Sequence, residues 1–178
     1  MKGSTVLVGA VAAIAAIAAA APFSGTLHAQ QPRQAPDSVV LERTACYGTC
    51  PAYRLSLRRT GEVHFQSRNN GERLDTTDHV APATLDSLLG HAIQAGIFAL
   101  PDSIDRGSPL CWDYATDHPA LTLTFYGPSP KRIFYYTGCF LRSDHTSPAP
   151  LEALARLASA VDSATGVRRW IHRNPRRR

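Results

Sequence analysis

Most of the motifs that announce a chemistry are missing from this chain of 178 residues. No C-x-x-C couple opens a helix, so the arrangement that acidifies a thioredoxin-like thiol is not written here. No G-x-S-x-G elbow is present, and Ser143-Asp144-His145 are sequence neighbours, whereas the members of a hydrolase triad meet in space. His64, His79 and His91 lie singly on strand or helix faces, and no spacing matches a calcium loop or a zinc helix. Beyond two loosely similar strand-strand-helix halves there is no internal repeat. After the first 21 residues no segment is apolar enough to span a membrane.

What is present begins with an N-terminal segment to be set aside. Lys2 precedes an uncharged, Ala-rich run from Val6 to Ala21 that Pro22 closes, and Leu27-His28-Ala29 is a small-residue exit. This is the pattern of a secretory signal peptide over residues 1–29, cut before Gln30. The rival reading is an uncleaved anchor, because the run approaches bilayer-spanning length. The first cysteine is Cys46, too distant for a lipid-modified N-terminus. Residues 30–37 are rich in Gln, Pro, Arg and Ala and read as a disordered leader.

The formal charge is +5, but Arg168, Arg169, Arg173, Arg176, Arg177 and Arg178 crowd the C-terminus. With these and Lys2 set aside, twelve basic residues face 14 acidic ones and the body is nearly neutral. No specific nucleic-acid binding is expected from it. The basic tail, residues 172–178, can touch anionic polymers through counterion release, or remain a solvated end.

Residues 38–171 are expected to form one α+β domain, with 44% apolar content supplying a core. Ser38 to Arg43 alternates as a first strand. Tyr53, Leu55 and Leu57 alternate with polar residues, and after Thr60-Gly61 the pattern resumes at Val63 and Phe65, giving a hairpin with one wet face. Asn70-Gly71 turns the chain into a weakly apolar edge strand from Arg73 to His79. Leu85, Leu88, Leu89 and Ala92 fall at helical spacing between Pro82 and Gly96. Leu121 to Phe125 and Arg132 to Tyr136 form a second hairpin around Gly127-Pro128-Ser129-Pro130. Leu151, Leu154, Leu157 and Val161 stripe a last helix that Ser147-Pro148 opens and Gly166 ends. Trp170 and Ile171 are expected to dock against the body. The predicted architecture is an antiparallel sheet built from two hairpins, with two helices on one face.

Four cysteines follow the signal, and an even number in an exported chain favours disulfides. Cys46 and Cys50 are too far apart in an extended strand, so Tyr47-Gly48-Thr49 must turn if they pair, and Gly48 takes a positive φ cheaply. A hairpin brings Cys111 and Cys139 to one end of the sheet. Cys46 with Cys50 and Cys111 with Cys139 are favoured over crossed pairings, with zinc less consistent with the spacing. The alternative function is a thiol-disulfide redox protein using Cys46 and Cys50.

Pro101 to Pro119 reads as the longest loop, where function concentrates. Asp102, Asp105, Asp113, Asp117 and His118 can gather around a cation, or close turns as Asp commonly does. Trp112, with Tyr126, Phe134, Tyr135 and Tyr136, can leave an aromatic surface for a peptide or glycan, or fill the core. The candidate ligand-binding residues are therefore Trp112, Asp113, Asp117, His118 and Tyr135.

The stretch Cys46-Tyr47-Gly48-Thr49-Cys50-Pro51-Ala52-Tyr53, followed by Gly61-Glu62-Val63, resembles a family of exported bacterial domains of unknown function. That family is marked by a Cys-aromatic-Gly-x-Cys-Pro-x-Tyr motif and a Gly-x-Val hairpin, and the likeness runs from Val39 to Trp170. The resemblance implies a fold and a compartment rather than a reaction. The expected function is a periplasmic or secreted, disulfide-stabilised, non-catalytic binding or envelope-associated module. No catalytic residue, cofactor or metal is expected, and the partner is a peptide, a glycan or an envelope component.

Overall fold

The computed structural model describes residues 35–69, 72–140 and 149–171. The signal segment, most of the leader, the Asn70-Gly71 turn, Ser143-Asp144-His145, Ser147-Pro148 and the basic tail lie outside the described residues. The elements in chain order are β1 (Ser38–Arg43), β2 (Tyr53–Arg58), β3 (Glu62–Asn69), β4 (Glu72–His79), α1 (Ala83–Gln94), β5 (Ser103–Ile104) and β6 (Asp113–Tyr114). They continue as β7 (Ala120–Tyr126), β8 (Lys131–Tyr136), β9 (Cys139–Phe140), α2 (Ala149–Thr165) and α3 (Arg168–Ile171).

The two expected hairpins are not separate. One seven-stranded sheet runs β4-β3-β2-β1-β7-β8-β5, and β1 joins the hairpins by pairing antiparallel with both β2 and β7. The reason is hydrogen-bond satisfaction: two independent hairpins would leave four open edges, and a shared central strand removes two. Val39, Val40 and Leu41 are all buried, as a strand flanked on both sides should be.

The sheet is also mixed rather than purely antiparallel. Ser103 and Ile104, inside the stretch read as a long loop, add β5 parallel to β8, and Asp113 and Tyr114 pair with Cys139 and Phe140 as a second small ladder. A two-residue strand has no periodicity to detect in sequence. The edge placement of β4 is as expected.

Register puts Val39, Leu41, Leu55, Leu57, Val63, Phe65, Leu123, Phe125 and Ile133 on one face, where they form one cluster with Leu85, Leu89, Leu154, Leu157 and Val161 of the helices. Phe98 lies 4.8 Å from Phe125, and Trp170 of α3 lies 5.0 Å from Phe65, ring centroid to centroid. The opposite face carries polar cross-strand pairs such as Glu42 with Arg54 and His64 with Asp75.

One half-buried polar fixture ties α2 to this sheet. Arg43 donates from Nε to Tyr53 Oη at 2.9 Å and from Nη2 to Asp162 Oδ2 at 2.8 Å, while the Tyr53 hydroxyl donates to Asp162 Oδ1 at 2.6 Å. Burial, followed by the bond to Asp162, pushes the Tyr53 phenol well above the ordinary tyrosine range. For Arg43, burial is the largest single effect and works downward, but the Asp162 carboxylate and Tyr53 together outweigh it and the guanidinium stays charged.

Candidate functional site

Both cysteine pairs lie at the end of the sheet where β1 and β8 finish and β2 and β7 begin. Cys46 bonds Cys50 with Cα atoms 5.4 Å apart, and Cys111 bonds Cys139 with Cα atoms 5.2 Å apart. No free cysteine remains among the described residues. Gly48 makes the short turn possible with φ at 143°, a region that side chains disfavour. Hydrogen bonds then sew this knuckle to the second loop: Thr44 N–H donates to Ala120 O at 3.0 Å, Ala120 N–H to Thr44 Oγ1 at 2.7 Å, and Tyr47 N–H to Asp117 O at 3.1 Å.

The second loop is held as firmly. Outside the β6–β9 ladder, Trp112 N–H donates to Phe140 O and Ala115 N–H to Gly138 O, each at 2.9 Å. The ring of Tyr114 stacks on Tyr136 with centroids 4.8 Å apart. The Tyr136 hydroxyl donates to Ala115 O at 3.0 Å and accepts from His118 N–H at 3.2 Å. Thr137 adds a bond to Pro119 O at 2.6 Å. Gly138 is required by this closeness, because a Cβ there would lie 2.3 Å from Ala115 O and 2.5 Å from the Tyr136 ring.

On this braced end stand three of the five large exposed apolar side chains among the described residues: Tyr47 at 90% exposure, Trp112 at 64% and Phe140 at 45%. The segments that carry them are linked: the Tyr47 N–H donates to Asp117 O, the neighbouring His118 ring lies edge-on to Phe140 at 5.8 Å, and Phe140 is register partner to Asp113. Strand alternation puts Asp113 and Phe140 on one face of the small ladder and Tyr114 on the other, beside Arg106, whose guanidinium lies 5.7 Å from the Tyr114 centroid. The Tyr114 phenol is raised above its ordinary range, chiefly by its bond to Tyr136.

The acidic residues of the loop do not gather. Asp102 meets Lys131 at 2.5 Å, Asp105 accepts from Ser103 Oγ at 2.8 Å and from Gly107 N–H at 3.0 Å, and Asp113 accepts from Tyr114 N–H at 2.8 Å. Asp117, at φ 69°, pairs with Thr116 Oγ1. The bonds from Ser103 and Gly107 hold the Asp105 carboxyl below its usual value. Among the described residues no three His, Cys, Asp or Glu side chains are placed to hold a metal ion.

Of the sequence candidates, Trp112, Asp113, Asp117 and His118 therefore share one end. Tyr135 does not join them: its register with Leu121 and Ile104 sets it on the helix-covered face, packed against the core, and burial raises its phenol. Tyr136, one residue on, faces the loop instead. Tyr47 and Phe140 also stand exposed at that end, whereas Tyr114 lies on the other face of the small ladder, stacked on Tyr136. Alternation along Arg132 to Tyr136 is the signal that separates Tyr135 from Tyr136, once it is known which face the helices cover.

A family of domains described as a domain of unknown function, DUF6438, matches residues 37–161. The chain belongs to the DUF6438 family. The match covers β1 through most of α2, so the knuckle, both disulfides and the aromatic end of this DUF6438 domain all lie inside it, as do Arg43, Tyr53 and the main part of the helix they brace. A search of curated proteins finds no match.

Proposed function

We propose that this DUF6438 domain is a non-catalytic binding module, exported on residues 1–29 and working in the periplasm or outside the cell. Its contact surface is the braced end carrying Tyr47, Trp112, Asp113, Asp117, His118 and Phe140. The observation that carries the reading is that three exposed aromatics stand at the end of the sheet where two disulfides and a stacked tyrosine pair brace the loops. Rigid aromatics give contact area at low entropic cost, and preorganised loops lose little freedom on binding. Disulfide pairing accords with an oxidising compartment.

The test is an amide-shift titration of the folded protein with two probe sets, short peptides and soluble cell-wall glycan fragments. Shifts confined to residues 46–50, 111–118 and 138–140, lost in Tyr47→Ala and Phe140→Ala, are expected. Shifts elsewhere, or none with either set, overturn the assignment.

A second reading, thiol-disulfide exchange at Cys46 and Cys50, is favoured by the partial exposure of that pair, in contrast to Cys139 at 2%. Against it, Cys50-Pro51 leads into β2, not into a helix whose dipole would acidify a thiol. Thiol titration separates the two: readily reducible, nucleophilic Cys46 and Cys50 support exchange, and resistance of all four cysteines removes it.

A further inference from the structure

We propose that the Cys46–Cys50 bridge is a redox latch: a dithiol electron donor opens it while the Cys111–Cys139 bridge stays closed, freeing Tyr47 from Asp117 and switching the contact surface off. This regulation rests on the binding-module reading, in which Tyr47 is part of that surface.

The two bridges differ in what an attacking thiolate meets. Cys46 and Cys50 are both partly exposed, and Tyr47, Gly48 and Thr49 between them are exposed. Whichever of the two sulfurs is attacked, the other leaves as a thiolate into water. Cys111 is partly exposed as well, but its partner Cys139 is 2% exposed and belongs to the core cluster. Attack at Cys111 would expel a thiolate into apolar surroundings, and attack at Cys139 is closed off by burial. The β6–β9 ladder opposes that opening too: Tyr114 pairs with Cys139, and Trp112 N–H donates to Phe140 O at 2.9 Å, so the two cysteines stay side by side.

What the latch releases is local. The bridged ring spans residues 46–50, and among the described residues one hydrogen bond leaves it, from Tyr47 N–H to Asp117 O at 3.1 Å. The chain on either side is held independently. Thr44 exchanges two bonds with Ala120, Arg43 pairs with Tyr53 in the β1–β2 register, and Tyr53 donates to Asp162. With the sulfurs parted, the turn loses its covalent closure, and Gly48 at its centre restricts the backbone least. Tyr47 then has to be ordered again on contact, which weakens binding.

The exchange balances with the donor alone. One donor thiolate attacks a bridge sulfur, a mixed disulfide forms, the Cys46–Cys50 bond breaks, and the departing cysteine takes a proton from water. The second donor thiolate attacks the donor's sulfur in the mixed disulfide, closing the donor's own disulfide and releasing the other cysteine. The donor is oxidised by two electrons and the bridge is reduced by the same two.

The test is graded reduction of the folded full chain with dithiothreitol, read by alkylation with peptide mass mapping and by amide spectra. Cys46 and Cys50 are expected to alkylate together at about tenfold less reductant than Cys111 and Cys139. The amides of residues 46–50, Asp117 and His118 should then shift while those of Leu41, Leu55 and Leu123 stay in place. Probe peptides or glycans should bind the reduced form about tenfold more weakly, and reoxidation should restore them. Cys46→Ser/Cys50→Ser should bind as the reduced form does and no longer respond to reductant. Opening of Cys111–Cys139 first or at the same reductant level overturns the proposal, as does reduction of Cys46–Cys50 that leaves Asp117 and probe affinity unchanged. Catalysed reduction of a disulfide-bonded test peptide assigns the pair to exchange chemistry and also overturns it. Each of these results leaves the binding-module reading standing if the oxidised protein shifts with a probe. No shift of the oxidised protein with any probe removes that reading and the latch with it.

Discussion

Replacing Asp162 by Ala tests whether the half-buried fixture between β1, β2 and α2 holds the helix layer on the sheet. Asp162 is 19% exposed at its side chain and Arg43 24%, so the pair sits between a surface ion pair and a fully buried one. Its removal leaves a guanidinium and a phenol without the acceptor they share. Exposed pairs contribute about 0–1 kcal/mol, whereas removing one partner of a buried pair costs about 3–5 kcal/mol. An intermediate position, plus loss of the Tyr53 hydrogen bond to a charged acceptor, puts the cost at about 2–3 kcal/mol. For a domain of this size that lowers Tm by about 6–9 °C. Tyr53→Phe keeps the ring packed on Phe65 and removes only the hydroxyl, so about 1–1.5 kcal/mol is expected. Arg43→Met/Asp162→Leu replaces the charges with apolar volume and should recover most of the loss, since removing both charges leaves neither stranded. The assay is urea unfolding of the oxidised protein, read by tryptophan fluorescence. A loss below about 1 kcal/mol for Asp162→Ala, the level of an ordinary surface pair, would refute the reasoning.

The two disulfides should differ in stability effect. In the loop-entropy account a bridge across 28 residues contributes about 3.5 kcal/mol and one across 4 about 2 kcal/mol, so Cys111→Ser/Cys139→Ser should lower the urea midpoint more than Cys46→Ser/Cys50→Ser. Gly138→Ala should displace the loop from Tyr136, costing about 1–3 kcal/mol through overpacking, and should move the aromatic signals of Tyr114 and Tyr136 in NMR spectra. Raising pH tests Tyr53. Its phenol is raised in the folded state, so the stability it contributes is complete below about pH 10, the unfolded value, and declines as pH climbs toward the folded one. Tyr53→Phe should flatten the alkaline fall in stability; an unchanged slope counts against the buried phenol.

Structure and proposed function meet at one division of labour. The helix-covered face of the sheet supplies the core, and the end bearing the cross-links carries the proposed contact surface, its loops held by bonds from Thr44, Tyr136 and Thr137. Tyr53 belongs to the core side of this division. It sits three residues after Cys50, so the Cys-Pro-x-Tyr stretch couples the knuckle to α2 by way of Asp162.

By itself the sequence determined every feature that follows from local periodicity or turn chemistry. The alternation of β2, β3, β7 and β8, the stripes of α1 and α2, the edge position of β4 and the positive φ at Gly48 were legible from local pattern, and the proximity of Cys111 to Cys139 from the single hairpin that lies between them. Only the tertiary structure decided the rest. That β1 lies between β2 and β7, that Ser103 and Ile104 close the sheet in parallel, that Arg43 and Tyr53 share Asp162 across 119 and 109 residues, and that Tyr136 faces the aromatic end while Tyr135 turns away are non-local facts. Hydrogen-bond pairing between distant segments and the choice of which sheet face the helices cover are settled by satisfaction of the whole fold, and a strand of two residues leaves no periodic trace of either.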